Sequence, residues 1–221
     1  MRESRYQQCA APGCFQHPRP CSRYCAAHYR RLERTRDLRG RVLRKGELKY
    51  PRAECLAFIE AHESHPAVAA ALEYMDDLIR PSEKAGFLRR EFARLRAAGA
   101  TPKTMLASAM GLFFWAECNG HWEPGLRPFN DRCFDLNLGR ALLGTVPAQT
   151  RITSSGKTSY VRVRPSHAEA LGQNLRVSVG LLCLTSARKI LKDSGWYAPD
   201  ERGRLILEAM KSAPFDRNDE E

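Results

Sequence analysis

With 221 residues and 43% hydrophobic side chains, the chain has material for one medium domain plus a small appendage, or for two small domains. Its net charge of +11 is concentrated: residues 1–50 hold thirteen Lys/Arg against four Asp/Glu. A basic field placed in that way favours a polyanion, and nucleic acid ahead of a membrane surface, because the arginine stretch lacks the broad apolar face of an interfacial helix. The longest apolar runs, Met105–Ala116 and Val177–Ala187, are too short to span a bilayer. The opening MRESRYQQC has no apolar h-region, so the eight cysteines are expected reduced, in the cytoplasm.

In chain order, the first informative stretch is Cys9 to Lys45. Cys9 and Cys14 flank a Pro12-Gly13 bend, and Cys25 and His28 are spaced to share one face of a helix. Zn²⁺ takes four N or S ligands in tetrahedral array, and a segment this short has no core of its own to order it. The reading is a closed structural site of Cys9, Cys14, Cys25 and His28, with Cys21 as the alternative to His28 for the fourth ligand. From Tyr24 to about Thr35 the chain should be helical, with Tyr29 and Leu32 on a small apolar side and Arg30, Arg31 and Arg34 elsewhere.

The pattern C-x4-C-x10-C-x2-H-Y-x-R, with Pro-Gly before the second cysteine and Thr35 and Asp37 closing an arginine-rich run, resembles a zinc knuckle of bacteriophage and mobile-element proteins. Such knuckles often stand at the front of HNH-type homing endonucleases. The resemblance implies Zn²⁺ at Cys9, Cys14, Cys25 and His28 and a role in holding DNA. The chain departs from the pattern in carrying Cys21 and in having Arg23-Tyr24 where a glycine usually precedes the third ligand.

Residues 1–37 thus form the expected knuckle, and 38–51 a basic, glycine-punctuated linker. That linker is either a solvated tether or an arm laid along a phosphate backbone. A helical domain should occupy 52–211. Its expected helices begin with 52–63, stopped at Ser64-His65-Pro66, and continue with one running to Pro81 and one from Ser82 to Gly99. Thr101-Pro102 then opens a helix that is apolar nearly all round and therefore central.

After a Pro- and Gly-rich loop, Asn130 caps DRCFDLNLGRALL, which Gly144 ends. A β-hairpin is expected near 149–164, with Arg151, Arg162 and Arg164 at period-two positions and Lys157 in the Ser-Gly turn. This helix and hairpin resemble a winged-helix module and are similar to wings on phage replication proteins, which would put the helix in a major groove. Ser166 and Glu169 suggest a capping box for a long helix through Lys192, with bends at Gly172 or Gly180. A last helix, GRLILEAMK, and a disordered acidic tail at 212–221 complete the expected fold.

No catalytic constellation is legible. His62-Glu63-Ser64-His65 falls one residue short of H-E-x-x-H and is followed by Pro66, so its imidazoles belong to helix ends. Cys118, His121 and Cys133 could start a second metal site but lack a nearby fourth ligand, and buried thiols are the plainer account.

The expectation is a mainly α protein with a zinc knuckle and one β-hairpin that binds double-stranded DNA. It would serve as a phage or mobile-element regulator, or as a replication or recombination accessory factor. Arg30, Arg31, Arg34, Arg39, Arg41, Arg44 and Lys45 would meet phosphates, with Arg151, Lys157, Arg162 and Arg164 as a second strip. The alternatives are a metal-dependent nuclease with a degenerate active site and a zinc-knuckle adaptor gripping RNA polymerase or a replication enzyme.

Overall fold

The computed structural model describes residues 8–80, 88–122, 127–147, 150–152, 158–160 and 163–194. Helix α1 (Ala26–Thr35) follows the cysteine turns, and a 3-10 turn at Lys45–Leu48 runs into α2 (Lys49–Ala61). Then come α3 (Pro66–Ile79), α4 (Arg89–Ala97), α5 (Pro102–Cys118) and α6 (Asp131–Leu143). Strands β1 (Thr150–Ile152) and β2 (Thr158–Tyr160) precede α7 (Pro165–Asp193). No described helix is long and apolar enough to cross a membrane.

The sequence of α5 has no polar face, and its position follows from that. Every residue from Met105 to Ala116 is buried, with α2, α3, α6 and α7 packed around it. Fully burying a side chain such as Phe113 or Phe114 is worth about 1.5–3 kcal/mol, so α5 is where the fold gains most. Its start is defined locally: the Thr101 hydroxyl accepts from the Thr104 N–H at 3.2 Å, with Pro102 in the first turn.

The second organising contact is α6 against α7. A Cβ on Gly139 would lie 1.9 Å from the Ala168 carbonyl oxygen, and one on Gly172 would lie 1.7 Å from that of Asp135. Each helix therefore offers a glycine to the backbone of the other, and the two axes approach more closely than any side chain permits. Beside the crossing, the Arg176 guanidinium donates to both oxygens of the buried Asp135 carboxylate, at 2.7 and 3.0 Å. Burial pushes that carboxyl upward while Arg176 opposes the rise, leaving it above its usual range.

Several expectations change. The helix at 131–143 is capped by Asn130, whose side chain accepts from the Cys133 N–H at 2.9 Å, and it stops at Gly144. Nothing in its packing supports a groove-reading role, however. Residues 133–139 are all buried, because its glycine face and its apolar face are taken by α7 and α5, so most of its length is covered and only its ends, such as Asp131 and Arg132, are open.

β1 and β2 do pair antiparallel, with Thr150 opposite Tyr160 and Ile152 opposite Thr158. They are shorter than the expected 149–164 hairpin, of which 149, 153–157 and 161–162 lie outside the described residues. Helix α7 does not use the Ser166/Glu169 box: Pro165 opens it, Arg164 precedes it without a side-chain cap, and Glu169 is engaged elsewhere. It also runs unbroken past Gly172 and Gly180, where a Cβ would meet the Asp135 carbonyl and the Phe113 ring respectively. The expected start of the fourth helix at Ser82, the last helix and the acidic tail all lie outside the described residues.

Candidate metal centre and basic surface

Cys9, Cys14, Cys25 and His28 form a group that could hold a metal ion, their ligand atoms all within 4.8 Å of one another. Cys9 Sγ lies 3.5 Å and Cys25 Sγ 3.3 Å from His28 Nδ1, and Cys14 and Cys25 sulfurs are 3.9 Å apart. A tetrahedral zinc with bonds of about 2.3 Å to sulfur and 2.0–2.1 Å to nitrogen has S···S edges of about 3.8 Å and S···N edges of about 3.5 Å. These three separations are close to the edges of such a tetrahedron. Cys21, exposed and at a backbone φ of 60°, is outside the group, so His28 and not Cys21 is its fourth member.

Local structure explains the assembly. Cys25 precedes α1 with no side-chain cap, and its own N–H donates to Cys9 Sγ at 3.2 Å. Burial alone would push the Cys9 thiol up. Amide hydrogen bonds from Cys25 and Ala11, with His28 and Cys14 beside it, outweigh burial and bring it down to about 6, toward the thiolate a metal takes. The Gln16 amide lowers Cys14, but burial and the Cys9 and Cys25 sulfurs leave that thiol raised. Cys9, Ala11 and Cys25 make up a separate small buried cluster, too little to order the segment by apolar burial alone.

The expected linker at 38–51 is largely neither a tether nor an arm. Residues 45–51 are already helical and join the body through buried Leu48 and Pro51. Upstream, α1 ends in left-handed Arg36 (φ 62°), which turns the chain back toward α6. There the Arg36 guanidinium donates to Glu169 at 2.9 Å, and Arg132 reaches the other oxygen of the same carboxylate at 2.6 Å.

The Asn130 amide nitrogen donates to Arg36 O at 3.1 Å while its backbone N–H donates to Asp37 Oδ2 at 2.5 Å. Farther along, Asn137 accepts from the Leu43 N–H at 2.9 Å and donates to Arg41 O at 3.0 Å. A Cβ on Gly40 would stand 2.6 Å from Cys133 Sγ, so the segment lies flat on α6. Three of its backbone groups, Arg36 O, Arg41 O and the Leu43 N–H, are satisfied by Asn130 and Asn137, which ties it to α6.

The arginines named from sequence divide accordingly. Arg41 is committed to Glu47, at 2.7 and 2.5 Å, with its guanidinium 5.8 Å from the Trp115 ring. The Arg44 N–H donates to the same carboxylate at 2.7 Å. Burial works against that carboxylate, yet these hydrogen bonds hold it below its usual range. Arg31 donates to Leu38 O at 3.3 Å.

Arg30, Arg34, Arg39 and Lys45 are exposed and form no ion pair among the described residues. Arg164 is exposed where α7 begins, the side chain of Arg151 lies outside the described residues, and so do Lys157 and Arg162. Sequence reasoning missed Arg140. This half-buried guanidinium is depressed first by burial and then by Arg34, without a carboxylate partner among the described residues. Arg34 and Arg140 lie on different helices more than a hundred residues apart in sequence, so no local signal links them.

The remaining sequence candidates are structural. His62 closes α2, and His65 precedes α3 and accepts from the Ala67 N–H at 3.3 Å, as their place around Pro66 implied. Cys118, His121 and Cys133 form no metal-holding group among the described residues. His121 is buried, stacked on Phe134 with centroids 4.9 Å apart and flanked by Phe129 and Trp122. Trp122 stacks on Phe113 and meets Phe134 edge-on, so it too belongs to the core. No family model, curated protein or solved structure matches the chain.

Proposed function

We propose that this chain is a zinc-dependent protein that binds double-stranded DNA, working in a phage or mobile-element setting as a regulator or as a replication or recombination accessory factor. The observation that carries the reading is the Cys3His group set directly before α1, whose exposed Arg30 and Arg34 form no ion pair among the described residues. Exposed cations with no acid beside them gain from a phosphate strand, whose counterions they release. Bound zinc would supply the cross-link holding the Cys9–Cys14 turn to the first turn of α1. The clamp of Asn130, Asn137 and Glu169 on residues 36–43 would then hold Arg30 and Arg34 of α1 in fixed register with Arg140 of α6.

The adaptor reading draws on a different feature, Val177 and Leu181 of α7, which are 80% and 79% exposed one turn apart. A nuclease would need a reachable acid or base, and His121, inside its aromatic box, is not one.

Fluorescence anisotropy on duplex DNA across a salt series, with and without chelator, tests the proposal. Arg30→Gln and Arg34→Gln should each flatten the log–log salt slope by about one unit, whereas Arg41→Gln, already neutralised by Glu47, should change it far less. Equal effects of all three, or DNA binding indifferent to salt and chelator, would refute it. A pull-down surviving high salt and nuclease treatment would favour the adaptor.

A further inference from the structure

Where the 3-10 turn runs into α2, the structure has a cavity that nothing above uses. Lys45, Lys49 and Arg52 are spaced by four and three residues, so they rise from one face. With an apolar floor of Ala53, Leu56 and Ala107 they line a volume of about 440 Å³. No carboxylate lines it, and the one hydroxyl at its edge, Thr104, is engaged by Thr101 at the start of α5.

The contrast with the rest of the body is informative. Arg36, Arg94, Arg176 and Arg188 each face a carboxylate. Lys45, Lys49 and Arg52 have none among the described residues. Arg52 is half-buried, and burial pulls its guanidinium below its usual value with no acid to restore it.

Three converging cations over an apolar floor repel one another until an anion arrives. The partly desolvated setting strengthens their pull on that anion. A volume of this size is within the range of about 300–1,000 Å³ usual for small-ligand sites, large enough for a nucleotide-sized group.

We propose that this cavity is a binding site for a phosphate ester, the phosphate held by Lys45, Lys49 and Arg52 and the organic part lying on Ala53, Leu56 and Ala107. The ester comes either from a free nucleotide or from one unit of a nucleic-acid strand. The cavity is built from the 3-10 turn, α2 and α5, and none of its lining residues belongs to the metal centre or to α1.

The test uses the full-length, zinc-loaded protein. Calorimetric titration with AMP and ATP, and anisotropy with a short oligodeoxythymidylate, are run on the parent chain and on two variants. Lys49→Gln/Arg52→Gln removes charge. Ala53→Phe fills the cavity from an exposed position and leaves all three charges, so it should fold normally, as helical circular dichroism will verify.

Both variants should weaken the ligand by about tenfold or more, the scale of lost charge-assisted hydrogen bonds or an obstructed pocket. Loss of AMP or ATP binding identifies a free-nucleotide site. Loss confined to the oligonucleotide identifies a strand contact. Arg30→Gln/Arg34→Gln should leave AMP and ATP affinity unchanged, which separates this site from the DNA-binding proposal. The inference is overturned if none of the ligands binds at millimolar concentration, or if the charge variant weakens binding while Ala53→Phe does not, since that result describes a diffuse field and no pocket.

Discussion

Replacing His121 with Phe should remove a specific block of acid sensitivity. The imidazole is 1% exposed, enclosed by Phe134, Phe129 and Trp122, and neither ring nitrogen has a hydrogen-bond partner among the described residues. Burial, reinforced by the charge of Arg127, lowers its pKa from 6.5 to about 4, so the folded state holds it neutral where the unfolded chain protonates it.

Between those two values the unfolded state binds more protons. The resulting stability is fully present above pH 6.5 and is lost as pH falls toward 4. A shift of that size corresponds to about 3 kcal/mol in all, of which about 2 kcal/mol disappears between pH 7 and pH 5. The assay is urea unfolding of the zinc-loaded parent and His121→Phe at pH 7, 6 and 5. Taking the difference at each pH cancels the proton dependence that the metal site contributes to both. The variant should gain on the parent by about 2 kcal/mol over that range. A difference that stays flat would show that protonated His121 is accommodated in the native state, and the reasoning would fail.

Chelating the metal should abolish amide-exchange protection in residues 26–35 while leaving 105–116 protected, since α5 lies in the large core and α1 rests on a three-residue cluster. Hydrogen exchange read by mass spectrometry would check this. Cys21→Ser should keep one bound zinc per chain and His28→Ala should lose most of it, measured by elemental analysis, because only His28 stands within reach of the other three ligands. Gly172→Ala should cost about 3 kcal/mol or more in thermal unfolding, because a Cβ 1.7 Å from the Asp135 carbonyl can be relieved only by prising α6 off α7. Stability unchanged or raised, as in an ordinary helix Gly→Ala change, would show that the crossing has slack.

Much of the chemistry was legible in the residues alone because it is local. The Cys25/His28 spacing places two donors on one helical face whatever the rest of the chain does. Likewise, Asn130 before an apolar run caps α6, and an α5 without a polar face has nowhere to go but the centre.

What depended on tertiary structure was charge compensation and exposure. Arg41 and Arg34 look alike in sequence, yet one is taken up by Glu47 while the other has no carboxylate partner among the described residues. The 36–43 segment reads as a solvated linker because its partners, Asn130, Asn137 and Glu169, lie some ninety to more than a hundred residues away.

The same limit applies to α6, whose pattern suits a groove-reading helix as well as a buried one until Gly139 and Gly172 bring α7 against it. Lys45, Lys49 and Arg52 fall on a shared face only once the helix is known to begin at the 3-10 turn and not at Arg52. Spacing within a turn is set by bond geometry and can be read from the chain. Whether a charge is neutralised, or a helix face covered, depends on which distant residue the folded backbone brings within a few ångströms, and no local pattern encodes that.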